Sequence, residues 1–160
     1  MTLLDVPVVT ADGRTTTLRE HEGKVLLIVN VASRCGLSPQ YAELEELQKR
    51  YADRGFTVLG FPSNQFFQEL SSNDAIAEYC TTKWGVTFPI FDRVRVNGRQ
   101  RAPLYAELTK AKDASGAGGN VRWNFEKFVV TPDLEVIRFR PTTTPLDPAV
   151  VAAIESHLPR

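Results

Sequence analysis

Cysteine is scarce in this chain: Cys35 and Cys80 are the only two among 160 residues. Two thiols so far apart make no disulfide framework of the small secreted kind, and neither has a second ligand at the short spacing of a zinc site. Histidine is equally scarce, with His21 and His157 near the two ends. A Cys–His hydrolase therefore has little to build on, and both histidines are expected at the surface. Excess charge is missing too, since 19 Lys and Arg balance 19 Asp and Glu. That argues against nucleic-acid binding through bulk positive charge and against a polybasic membrane anchor. The longest apolar run, Val25 to Ala32, is interrupted by Asn30 and is too short to span a bilayer. No basic-then-apolar leader is read at the N-terminus, so the cytoplasm is the expected compartment. Internal repeats, charge blocks and low-complexity tracts are absent as well. What remains is 42% hydrophobic and 24% charged, the make-up of a single globular domain over residues 1–160.

The local pattern predicts an α/β fold. Asp12-Gly13 between two extended pieces signals a hairpin. Lys24–Val31 is a nearly continuous β-branched and aliphatic run, as in a central strand buried on both faces. Tyr41, Leu44, Leu47 and Tyr51 fall at helical spacing, with Ser38 as the expected N-cap, Pro39 at the first position and Gly55 as the stop. Phe56–Phe61 is the next strand, completing a β-α-β unit with parallel strands. Further helices are predicted over Asn73–Trp84, capped by Ser72 or Asn73, over Ala102–Lys110, and over Asp147–His157, capped by Asp147 with Pro148 first. Phe88–Phe91 is a short extended piece, and Phe128–Val130 with Glu135–Phe139 is a late hairpin. Lys112–Asn120 is a flexible surface loop by composition. Helices on a mixed central sheet, with an N-terminal β-hairpin, make a thioredoxin-like layout.

Cys35 falls between a buried strand and a helix start. The crevice beyond the carboxyl ends of the strands is the usual site in such sheets. Partial positive charge and unpaired N–H groups at a helix start favour a thiolate, which is the nucleophilic form. A small buried hydrophobe is the bland alternative. A thiolate that attacks peroxide also needs donors to hold the substrate and stabilise the departing oxygen. Two stretches offer amide and indole groups: Phe61–Glu69, which follows the second strand directly, and Trp123-Asn124-Phe125 before the late hairpin.

Asn30-Val31-Ala32-Ser33-Arg34-Cys35-Gly36, Leu59-Gly60-Phe61-Pro62-Ser63-Asn64-Gln65-Phe66 and Trp123-Asn124-Phe125-Glu126-Lys127-Phe128 together resemble the three motifs of the glutathione peroxidase family. The likeness covers essentially the whole chain. It is greatest to the bacterial, cysteine-containing branch, which depends on thioredoxin. The resemblance implies a catalytic tetrad: Cys35 as nucleophile, Trp123 and Asn124 as donors, and Gln68 as the family glutamine. Phe67-Gln68-Glu69 is one residue shorter than the family stretch, so Gln65 stands as the alternative. Ser63 occupies a position where many relatives carry cysteine. The resemblance further implies that Cys80 is the resolving thiol.

The expected cycle is then a Cys35 sulfenic acid followed by a Cys35–Cys80 disulfide, reduced by thioredoxin, with no metal, flavin or haem. The two cysteines are expected to lie apart when reduced, so that the second helix must unwind before they meet. A short Ala111–Val121 loop resembles the monomeric relatives, which accept hydrogen peroxide and organic or lipid hydroperoxides. No nucleic-acid partner and no membrane insertion are expected. Two other readings share the thiol chemistry: a peroxide sensor that oxidises a partner protein, and a thiol–disulfide oxidoreductase, although position 38 is serine rather than a second cysteine.

Overall fold

The computed structural model describes residues 2–67 and 69–159. Val8–Val9 (β1) and Thr15–Thr16 (β2) form the N-terminal hairpin, turning at Gly13 with φ 88°. Val25–Val31 (β3) is buried at every position. Its odd-numbered side chains, Val25, Leu27, Val29 and Val31, enter one core cluster. Leu26 and Ile28 enter the other. This two-residue period is why the run lacks the polar alternation of a one-sided strand.

Gln40–Tyr51 (α1) returns the chain to Phe56–Pro62 (β4), which pairs with β3 in parallel. Lys127–Val130 (β5) runs antiparallel on the other side of β3, and Val136–Phe139 (β6) closes the sheet in the order β4-β3-β5-β6. The α1 side chains Tyr41, Leu44, Leu47 and Tyr51 cover one face together with Val150 and Ile154 of Pro148–Glu155 (α4). Leu104, Tyr105 and Leu108 of Pro103–Leu108 (α3) cover the other with Val8. Asp147 caps α4 as expected, accepting from Ala149 N at 2.9 Å. Among the described residues no helix is long and apolar enough to cross a membrane.

Four expectations need correction. Ser38 does not cap α1, which begins at Gln40. Its hydroxyl donates back to the carbonyls of Ala32 (2.9 Å) and Ser33 (3.1 Å), bracing the turn that holds Cys35. The second helix is α-helical only over Asn73–Tyr79 (α2); Cys80–Trp84 is a wider π-helical turn, ended by Gly85 at φ 62°. The 112–120 loop is tied down by two arginines. Arg140 Nε pairs with Asp113 at 2.8 Å, and Arg138 reaches the carbonyls of Gly119 (2.8 Å) and Asn120 (3.0 Å). Finally, His21 and His157 are half-buried rather than surface residues, and His157 Nδ1 lies 2.8 Å from the Ala153 carbonyl.

Candidate active site

Parallel β3 and β4 end on the same side of the sheet, and antiparallel β5 begins there. All three motifs therefore converge on one edge. The Cys35 turn follows β3, the Ser63–Glu69 loop follows β4, and Trp123–Glu126 leads into β5. Ser63 N bonds Val31 O at 3.1 Å, which seals the first two together.

Cys35 is buried to 6% exposure, and its Sγ accepts from Leu37 N at 3.3 Å. The amide that serves the sulfur thus comes from the turn itself rather than from the first helical residue. Cys80 is buried in the same cluster as Cys35, and both thiols are free. Burial pushes the Cys80 thiol up to about 11, with the Tyr41 hydroxyl opposing the shift and the Glu69 charge adding to it. A thiol held neutral in this way is a poor nucleophile in place.

Trp123 is not core. It is 37% exposed and its ring lies 5.1 Å from that of Phe66, so the second and third motifs touch. Asn124 beside it is fully buried. The backbone around them is held by Asn30, which the sequence marks as a polar break in an apolar run and as the first residue of the first motif. Asn30 Nδ2 donates to Trp123 O at 3.0 Å, its Oδ1 accepts from Glu126 N at 3.1 Å, and its own carbonyl accepts from Phe125 N at 2.6 Å. Phe125 sits at φ 65°, outside the range most side chains adopt. Lys127, fully buried, also donates to Phe125 O at 2.6 Å and to Pro141 O at 3.1 Å.

Gln65 is occupied elsewhere. Its Nε2 donates to Asn97 O at 2.8 Å, while its Oε1 accepts from Val96 N (2.8 Å) and Asn97 N (3.0 Å). Gln68 lies outside the described residues. Its neighbour Glu69 is buried, and the Glu69 Oε1 accepts from Ser33 N at 2.9 Å.

The glutathione peroxidase family model matches residues 3–109, two thirds of the chain. The chain belongs to the glutathione peroxidase family. Among its relatives, the thioredoxin/glutathione peroxidase BtuE of Escherichia coli is 48% identical over 98% of this chain and 97% of its own length. The hydroperoxy fatty acid reductase gpx1 of Synechocystis is also 48% identical, over 79% of each chain. The crystal structure of GPX1 from T. cruzi superposes with a TM-score of 0.76 at 29% identity, covering 97% of both chains. The family carries the activity with it: this chain is a thiol peroxidase with a thioredoxin-like fold.

Proposed function

We propose that the chain reduces hydrogen peroxide and organic or lipid hydroperoxides by a two-cysteine cycle. The Cys35 thiolate attacks one peroxide oxygen; the O–O bond breaks, the leaving oxygen takes a proton as water or alcohol, and a sulfenic acid remains. Trp123, Asn124 and Gln68 donate hydrogen bonds to the peroxide and to the departing oxygen, where charge develops. The commitment of the Gln65 amide to residues 96 and 97 favours Gln68 for this role. Cys80 then attacks the sulfenic sulfur, forming the disulfide and releasing water. A thioredoxin dithiol reduces it by exchange, and no bound cofactor takes part.

The observation that carries this reading is the meeting of the three motif loops at one sheet edge, with both cysteines packed in one cluster beneath. The relatives named for thioredoxin and for hydroperoxy fatty acids support the reductant and the bulky substrates. The loop after α3 is short and tied down, which suits a monomer, and a reducing cytoplasm suits free thiols. The π-helical turn starting at Cys80 breaks the regular α-helical bonding pattern, so it is the natural place for local opening.

One equivalent of hydrogen peroxide added to the reduced protein, followed by peptide mass mapping, tests the cycle. A Cys35–Cys80 disulfide that thioredoxin removes is the expected result. A Cys35 sulfinic acid with Cys80 untouched would remove the resolving role and point to an external thiol. Fast oxidation with slow turnover by thioredoxin would favour the sensor.

A further inference from the structure

Glu69 is a carboxylate buried at 5% exposure that the cycle above does not use. Its Oε1 accepts two backbone bonds, from Ser33 N at 2.9 Å and from Leu70 N at 2.7 Å. Its own backbone N–H donates to Asn64 Oδ1 at 3.0 Å. One residue thus ties Asn64 of the second motif to the turn of the first. Ser33 stands two residues before Cys35, and its carbonyl is gripped by the Ser38 hydroxyl at 3.1 Å. Burying a carboxylate costs free energy unless its bonds are good, and burial indeed raises the carboxyl group's pKa against the lowering effect of those bonds. A clamp of this kind repays that cost in geometry, because the peroxide must meet the sulfur and its donors together. A misplacement of ~1 Å in such a site lowers rates by ~100-fold.

We propose that Glu69 is a positioning residue of the peroxidase: through Ser33 and Asn64 it fixes the Cys35 turn against the loop that follows β4. The inference rests on Cys35 being the nucleophile. It assigns Glu69 no contact with the peroxide and no proton transfer.

The test compares two reagents on one sulfur. Reduced protein is mixed with hydrogen peroxide or with iodoacetamide, quenched at intervals, and the Cys35 peptide is weighed. Peroxide attack needs the donors in register, whereas alkylation needs only an accessible thiolate. For Glu69→Ala the expected result is a fall of at least tenfold in the peroxide rate constant, with the iodoacetamide rate constant changed less than about threefold. Glu69→Gln keeps an oxygen for the Ser33 and Leu70 N–H groups, so it should recover the peroxide rate to within about threefold. Asn64→Ala cuts the other tie and should give a smaller fall of the same selectivity, which guards against a Glu69→Ala chain that does not fold. Equal losses with both reagents, no loss in Glu69→Ala, or no recovery in Glu69→Gln would each overturn the proposal. Cys35→Ser is run alongside. If it still consumes peroxide, the assignment of the nucleophile fails instead.

Discussion

Replacing Asn30 by alanine removes the side chain that holds the Trp123–Glu126 backbone to the end of β3. Two bonds vanish, Nδ2 to Trp123 O at 3.0 Å and Glu126 N to Oδ1 at 3.1 Å. Asn30 is fully buried. The Glu126 N–H left behind is buried, and an unsatisfied buried group costs about 1–3 kcal/mol. The loss should total about 3 kcal/mol, a fall in Tm of roughly 6–12 °C for a domain of this size. The Phe125 N bond to the Asn30 carbonyl is backbone and survives, so the loop should loosen rather than detach. Thermal melting by circular dichroism gives the stability change, and the rate of Cys35 oxidation by hydrogen peroxide gives the functional one. Asn30→Asp separates bonding from volume. The carboxylate can still accept from Glu126 N, but it sets an oxygen against the Trp123 carbonyl and buries a charge. It should cost at least as much as alanine. A fall in Tm below about 2 °C in both variants, with unchanged oxidation rates, would refute the idea that Asn30 positions the donor loop.

Arg138 is buried with its Nε 2.7 Å from Glu126 and further bonds to the Ala111, Gly119 and Asn120 carbonyls. Arg138→Met should cost about 3–5 kcal/mol in urea unfolding and open the 112–120 loop to proteolysis. Burial lowers the Lys127 ammonium to about 7, so between that pH and its ordinary range near 10.5 the unfolded chain binds the extra proton. Stability from this group is therefore present above pH 10.5 and is lost as pH falls toward 7. Lys127→Met should flatten the rise in urea midpoint between pH 7 and 9. Cys80, raised to about 11, has the opposite sign: its contribution is intact below the ordinary thiol range near 9 and is lost as pH climbs through 11. Cys80→Ser should remove that alkaline loss. Glu45, buried on α1, holds Thr87 by its N–H (2.7 Å) and its hydroxyl (2.6 Å) just beyond the π-helical turn. Glu45→Ala should speed amide exchange across residues 80–88 by roughly tenfold, and unchanged protection there would show that the anchor does not restrain the turn.

Local chemistry decides most of the elements and places Cys35 just after β3. The Asp12-Gly13 turn, the largely aliphatic β3 run, the helical spacing from Tyr41 to Tyr51 and the Asp147-Pro148 cap act within a few residues of themselves, so local chemistry decides them. The three motifs named the family, and Cys35 at the end of β3 followed from the pattern. Tertiary structure decided the rest, because a buried polar group bonds whatever the fold brings to it. Asn30 meets Trp123 across 93 residues, Ser33 meets Glu69 across 36, and Arg138 meets Ala111 across 27. Ser38 and the Gly- and Ser-rich 112–120 loop depart from expectation for the same reason. Ser38 has the composition of a cap and the loop that of a tether, but the Ala32 and Ser33 carbonyls and the paired arginines took those groups first. Composition states what a side chain can bond; only the packed chain states what lies within reach.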